Sequence, residues 1–254
     1  MIDLTKHLRE FFCTYLRDQR ALSPNTIKSY RDTFKILIAY LYARRRSSTP
    51  LTLADLDAKT IMAFLQHLED QQQGRCNGAN TRNQRLAAIQ SFFRYLSIHY
   101  PSVENQARRV RGIPVKKVPS TEEDFLTRQE LDALLAQPRM DSPDGVRDLA
   151  LLNFLYNTGA RASETAEARL SWFDLSARVV TITGKGNKTR LTPLWPATVR
   201  LLKLYLEHRR KSKPEAAAYF FINQRGLPFT RFGIRNIVKR YVQRAARQCP
   251  SLLK

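Results

Sequence analysis

The chain has 254 residues, of which 43% are hydrophobic, so it can build one or two folded domains and is not a disordered polymer. Its 43 Lys and Arg residues outnumber its 22 Asp and Glu residues, which gives a formal net charge of +21. Such an excess predicts a polyanionic partner, with nucleic acid first, although a basic RNA-binding or ribosome-associated protein has a similar composition. The sequence lacks both the ~18 consecutive apolar residues of a membrane helix and a secretory signal, so we expect a cytoplasmic protein without a membrane partner.

The three cysteines and four histidines are scattered along the chain. Cys13, Cys76 and Cys249 form no Cys-x-x-Cys pair, and the histidines show no ligand spacing. We therefore expect a reduced protein with no metal site and no cofactor.

Residues 1–100 are predicted to form a domain of four amphipathic helices. The second helix has a cap and a first-turn proline in Ser23-Pro24, and Asp57 is a plausible cap of the third. The fourth helix begins with polar residues that include Arg82 and Arg85. This helix start is suited to a DNA groove or to phosphates, and a solvated helix N-terminus explains it equally well.

Residues 101–124 are predicted to be an extended basic linker. Three prolines restrict the backbone and remove hydrogen-bond donors, while Lys116 and Lys117 add charge near the end of the segment. A linker of this kind can cross the backbone of a duplex. A solubilising tether is the alternative interpretation.

Residues 125–254 are predicted to form a second domain that mixes helices with a small antiparallel sheet. A capping box at Thr127 opens it, and an apolar helix ends near Gly159 in a left-handed cap. Two β-branched runs, 178–183 and 189–194, flank a glycine-containing hairpin loop. A helix starting at Pro196, a short strand at 219–222 and a helix capped by Thr230 complete the prediction.

Two cations in this domain are candidates for chemistry. Arg161 follows the end of a helix, and its guanidinium can hold a phosphate through two parallel hydrogen bonds. A structural ion pair with Glu164 is the alternative. Lys185 lies between two glycines at the hairpin tip, where it could protonate a leaving oxygen or be an ordinary exposed turn lysine.

Two motifs carry a resemblance to a known family. The first is Leu-Tyr-Asn-Thr-Gly-Ala-Arg-Ala-Ser-Glu at 155–164, and the second is Thr-Gly-Lys-Gly-Asn-Lys-Thr-Arg at 183–190. With the two-domain plan, they resemble the tyrosine recombinases (phage-type integrases) of the Xer-like branch over nearly the whole chain. The resemblance implies a mainly α fold with a small antiparallel β-sheet, in which a four-helix core-binding (SAM-like) domain precedes an α+β catalytic domain. It also implies site-specific DNA recombination through a 3′-phosphotyrosyl intermediate, without metal or nucleotide, by subunits that assemble as a tetrameric synapse on double-stranded DNA.

The resemblance assigns roles to particular residues. Arg161 matches the arginine that binds the scissile phosphate, and Lys185 matches the hairpin lysine that protonates the leaving 5′-oxygen. Glu164 matches an acidic residue that orients the arginine. Contacts with the DNA backbone are expected of four further basic residues of this domain, namely Lys188, Arg190, Arg231 and Arg235.

The chain departs from the family pattern after the last predicted helix. The motif His-x-x-Arg does not occur, and no later tyrosine follows. Tyr241 and Tyr219 have the character of core residues, so we assign no nucleophile in this chain. We therefore expect a catalytic domain truncated before His-x-x-Arg and the nucleophilic tyrosine. The chain is then either a recombinase whose missing residues lie elsewhere or a catalytically inactive DNA-binding remnant.

Overall fold

The computed structural model describes residues 4–45, 49–70, 76–119, 125–184, 186 and 188–253. The chain divides into two compact units, Met1–Thr121 and Glu122–Lys254, and each unit has its own hydrophobic core. The fold is mainly helical with one three-stranded antiparallel sheet among the described residues, as predicted.

The first unit is mainly helical in its described part. The α-helices of this unit are α1 Leu4–Glu10, α2 Pro24–Arg44, α3 Ala58–Glu69, α4 Ala79–His99 and α5 Glu104–Arg111. Helix α1 continues directly into a π-helical segment, Phe11–Gln19. Both predicted caps are confirmed, because the Ser23 side chain accepts from the Thr26 N–H and the Asp57 side chain accepts from the Thr60 N–H.

Three phenylalanines join the helices of this unit. Phe11, Phe34 and Phe92 are each at most 2% exposed. The ring of Phe92 lies edge-on to the other two, with centroid separations of 5.2 Å to each. Burying aromatic rings in this geometry stabilises the packing of the π-helical segment against α2 and α4.

The predicted linker is wrong over its first half. Residues 101–103 form a turn of 3-10 helix, α5 follows, and Val103, Ala107 and Val110 are buried against the first unit. Spacings of four and three place these side chains on one helical face, which the prolines before and after the segment obscured. The end of the predicted linker, residues 120–124, lies outside the described residues.

The second unit surrounds its small sheet with helices. Gly159 adopts a left-handed conformation with φ of 60° at the end of α7, as predicted. The elements are α6 Arg128–Leu135, α7 Pro143–Thr158, α8 Ala162–Glu167, β1 Phe173–Asp174, β2 Val179–Thr183, β3 Thr189–Pro193, α9 Pro196–His208 and α10 Arg231–Ala245. The strands are antiparallel in the order β1-β2-β3, and the pair Thr183–Thr189 closes the β2–β3 hairpin.

The strand predicted at 219–222 is wrong. Only isolated bridges form there, between Arg169 and Tyr219 and between Ile222 and Pro228. Proline has no N–H to extend a ladder, so pairing stops at Pro228. The apolar residues that suggested a strand, Phe220 and Phe221, are instead buried in the core.

A buried carboxylate connects α7 to α10. Asp148 is 1% exposed and accepts hydrogen bonds from the guanidinium of Arg147, from Arg240 Nη2 at 2.6 Å and from the Tyr241 hydroxyl at 3.0 Å. Burial, and then the neighbouring Asp148 charge, raise the pKa of Tyr241. Tyr241 is therefore a core residue, as expected.

Candidate functional site

The candidate site begins where α7 ends. The Gly159 N–H donates to the Leu155 carbonyl at 2.9 Å, and the left-handed glycine turns the chain out of the helix. Two residues later Arg161 precedes α8, and its backbone N–H donates to Glu164 Oε2 at 3.0 Å. The turn and the cap thus fix the position of the Arg161 backbone.

Glu164 joins two arginines. Its side chain is only 4% exposed, and it accepts from Arg161 Nη1 and from Arg190 Nη2, each at 2.8 Å. Burial alone raises the pKa of the Glu164 carboxyl, but the side-chain hydrogen bond from Arg190 and the two hydrogen bonds from Arg161 lower it to about 2. The group is therefore a carboxylate at neutral pH and balances one of the two positive charges.

Arg161 combines a fixed side with an exposed side. Its side chain is 67% exposed although Nη1 is bound to Glu164. No other acceptor for its guanidinium is present among the described residues. The ion pair with Glu164 and a phosphate-binding role are therefore compatible, because the pair orients the fork and leaves donors facing solvent.

The β2–β3 hairpin lies directly against this carboxylate. The Gly184 N–H donates to the Lys188 carbonyl at 2.8 Å, which closes the base of the loop. A Cβ atom at Gly184 would lie 2.6 Å from Glu164 Oε1. The side chain of Lys188 is exposed on this loop. Lys185, the predicted proton donor, lies outside the described residues.

Arg190 has a different position from the one predicted. Its side chain is 39% exposed and is tied to Glu164, so it supports the carboxylate as well as facing solvent. Sequence reasoning missed both this pair and the close approach of Gly184. The signal for Gly184 was the glycine immediately before Lys185, which we considered only as part of the hairpin tip that carries the lysine.

Arg231 and Arg235, the predicted DNA contacts of the last helix, are exposed on α10. They line a groove of about 710 Å³ together with Lys239 and apolar residues, and the wall of the groove includes Ala162, the neighbour of Arg161. Lys239 was missed by the sequence reasoning. Its spacing of four from Arg235, and of eight from Arg231, indicates one face of α10.

The basic residues predicted on the first unit are held by protein contacts to different degrees. Arg82 is 6% exposed and donates to the Pro114 carbonyl at 2.8 Å, so this burial does not fit its predicted role as a DNA contact. Arg85 is partly exposed and donates to Thr33 Oγ1 at 3.0 Å. Both arginines therefore stabilise the packing of α4.

Lys116 and Lys117 are both exposed. Lys116 Nζ pairs with Glu69 Oε2 at 2.8 Å, and its backbone N–H donates to the Asn83 side chain. Within the described ranges Lys117 has no ion pair. Of this pair, Lys117 is the freer cation.

The described ranges contain no group of three or more His, Cys, Asp or Glu residues that could hold a metal ion. In the same ranges no helix has both the length and the apolar character to cross a bilayer. The candidate site is thus one of arginines and a carboxylate.

Comparison with known proteins identifies the family. A model described as the phage integrase family matches residues 124–251, and one described as the phage integrase N-terminal SAM-like domain matches residues 10–98. The chain belongs to the phage integrase family. These proteins are the tyrosine recombinases of site-specific recombination and integration, so the resemblance found in the sequence is confirmed.

Individual relatives agree with this assignment. The putative integrase/recombinase y4rC of Sinorhizobium fredii is 37% identical over 98% of this chain and 76% of its own length. The tyrosine recombinase XerC of Oceanobacillus iheyensis is 31% identical over 92% of this chain and 75% of its own. A lambda integrase tetramer bound to a Holliday junction has a TM-score of 0.67 at 17% identity, over 96% of this chain and 63% of that one, which shows the shared fold.

Proposed function

We propose that this integrase-family chain acts on double-stranded DNA in site-specific recombination and that Arg161 binds the scissile phosphate. The observation that carries the proposal is the geometry of Arg161, whose guanidinium is oriented by an ionised, buried Glu164 and is still 67% exposed. A preoriented guanidinium stabilises the charge that develops on a phosphate in the transition state, and it needs little reorganisation to do so.

Other exposed cations of the chain supply further phosphate contacts. Lys188 on the hairpin and Arg231 and Arg235 on α10 are exposed and suited to the DNA backbone. On the first unit, Lys116 and Lys117 are the exposed candidates. Lys185 is proposed as the donor of a proton to the leaving 5′-oxygen, on the strength of its place in the motif at 183–190.

The proposed partners are duplex DNA carrying a recombination core site and further copies of a recombinase. The lambda integrase tetramer on a Holliday junction supports an assembly of subunits on DNA. No metal or nucleotide is required in this proposal, and the proposed compartment is the cytoplasm.

A second candidate function is that of a catalytically inactive DNA-binding remnant. Two observations favour it. The printed residues contain no His-x-x-Arg motif. The Tyr241 hydroxyl is bound to buried Asp148, and Tyr219 is covered by the Arg169 guanidinium at 3.8 Å from the ring centroid. Neither tyrosine is placed for attack on a phosphate, and the two functions differ in whether any covalent step occurs.

A nicked suicide duplex distinguishes the two functions. The sequence of the duplex is first enriched from a random pool by binding to the chain. A covalent protein–DNA band that disappears in Arg161→Ala supports the recombinase and contradicts the remnant. Binding without a covalent band supports the remnant for residues 1–254. If a band then appears when the same reading frame is translated beyond codon 254, the family's nucleophile lies beyond these residues.

A further inference from the structure

The hairpin and the phosphate-binding arginine share a single support. Glu164 holds Arg161 Nη1 with one carboxylate oxygen and Arg190 Nη2 with the other, each at 2.8 Å. Arg190 belongs to β3, where its backbone is opposite Ile182 of β2. The carboxylate therefore connects the arginine at the start of α8 to the strand that leads out of the hairpin loop.

Gly184 brings the other side of the loop to the same carboxylate. A Cβ atom at this position would meet Glu164 Oε1 at 2.6 Å and Arg190 Nη1 at 3.6 Å. A separation of 2.6 Å is shorter than van der Waals contact, so any side chain must push the loop or the carboxylate away. The backbone of Gly184 does not have a positive φ, unlike that of Gly159 and Gly186. The requirement for glycine at 184 is thus one of space and not of backbone conformation.

We propose that Gly184 and Arg190 are positioning residues that fix the hairpin against Glu164, so that the hairpin and Arg161 meet one phosphate as a unit. The inference rests on the proposed function, because it requires that Arg161 binds phosphate. It adds that the position of the hairpin relative to Arg161 depends on the contact between Gly184 and Glu164. Arg190 then acts through the carboxylate, in addition to any direct contact with DNA.

The salt dependence of DNA binding tests the proposal. The slope of log K against log salt falls by about 0.9 for each phosphate contact that is lost, whereas partial unfolding lowers K without changing the slope. We expect Gly184→Ala to reduce affinity for the enriched duplex about tenfold and to lower the slope by about one contact. Gly78→Ala is the control, since Gly78 belongs to the first unit, a Cβ there has nothing within 4 Å and its backbone has no positive φ.

A second substitution tests the steric cause. Shortening the carboxylate in Glu164→Asp withdraws the atoms that the new methyl group meets. We expect the double variant Gly184→Ala with Glu164→Asp to lose less DNA-binding free energy than the sum of the losses in the two single variants, because substitutions at residues in contact are not additive. Strict additivity contradicts the proposal.

The outcomes distinguish a failure of phosphate binding by Arg161 from a failure of the positioning role of Gly184. If Arg161→Ala leaves affinity and slope unchanged, the phosphate-binding function itself fails. If Arg161→Ala lowers the slope while Gly184→Ala leaves it unchanged, only the positioning role fails. If both lower the slope and Gly78→Ala does not, the proposal is supported.

Discussion

At the residue scale the candidate site depends on Glu164, which holds both Arg161 and Arg190. This carboxylate is nearly inaccessible to solvent and is held by two arginines, and its pKa is lowered from an ordinary 4.5 to about 2. A group with a lowered pKa in the folded state stabilises that state above its ordinary pKa and loses the contribution as the pH falls toward the folded value. The stabilisation is therefore complete above about pH 5 and disappears progressively between pH 4.5 and pH 2.

This predicts an acid sensitivity specific to the second unit. Between about pH 6 and pH 3 the wild-type chain should lose about 2 kcal/mol more unfolding free energy than Glu164→Gln, whose amide does not titrate. Both tryptophans, Trp172 and Trp195, lie in the second unit, so their fluorescence during urea unfolding reports on that unit. Equal losses in the two proteins would show that the carboxylate is not held as described.

At the element scale the second unit depends on the connection between α7 and α10. Asp148 on α7 binds Arg240 and Tyr241 on α10, and it also holds the buried Arg147. Without Asp148, the buried Arg147 keeps its ion pair with Asp144 at 2.8 Å but loses two charged hydrogen bonds, and Arg240 and Tyr241 lose their partner. The orientation of α10, which carries Arg231 and Arg235, follows from these contacts.

Asp148→Ala should therefore destabilise the second unit by about 3 to 5 kcal/mol. Tyr241→Phe removes a single hydrogen bond of the same group and should cost about 1 kcal/mol. Tryptophan fluorescence during urea unfolding measures both. Similar costs for the two variants would contradict the view that Asp148 is the centre of the connection.

Gly159 offers a second prediction at this scale. Alanine at this left-handed position meets no neighbouring atom and should cost about 1 kcal/mol through backbone strain alone. Thermal unfolding of Gly159→Ala measures this cost. A neutral or stabilising effect would show that the cap is not left-handed in solution.

How far the sequence predicts the structure also differs between elements. The caps at Ser23, Asp57 and Thr127 and the left-handed Gly159 are local features, so residue type alone predicted them. The helix α5 was missed because prolines at both ends suggested a linker, although its buried face had helical spacing. The strand at 219–222 was wrong because its pairing is limited to two isolated bridges, one to the distant Arg169 and one to Pro228, which cannot donate.

In the candidate site too, local features could be predicted from the sequence and contacts between distant residues could not. The motif around Arg161 left phosphate binding and an ion pair with Glu164 as alternatives, and the structure shows the ion pair with the guanidinium still exposed. The pairing of Glu164 with Arg190 is a contact across 26 residues, and the burial of Arg82 depends on the path of residues 113–116, so neither could be predicted from local sequence.

At the scale of the whole molecule the dominant property is charge. A net charge of +21 is distributed over two units that each have their own core, so both can contribute cations to a polyanion. If about six phosphates are neutralised, affinity for duplex DNA should fall about 1,000-fold between roughly 50 and 200 mM salt. Filter binding at several salt concentrations measures this fall, with structured RNA as the control ligand. A shallow response would contradict the neutralisation of many phosphates, and RNA bound as tightly as duplex DNA at equal salt would favour the RNA-binding alternative.

Arg161 is proposed to bind one particular phosphate of the DNA. A scan with methylphosphonates, which are uncharged analogues of the phosphate group, tests this directly. Methylphosphonates are placed one at a time along the enriched duplex, and dissociation constants are compared for wild type, Arg161→Ala and Arg200→Ala, an exposed α9 arginine outside the site. We predict one position per site at which the methylphosphonate weakens DNA binding by the wild type about tenfold or more. At that position it should not weaken binding by Arg161→Ala any further, whereas Arg200→Ala should behave as the wild type. If the loss caused by Arg161→Ala is the same at every position, or if there is no loss, Arg161 does not bind a scissile phosphate.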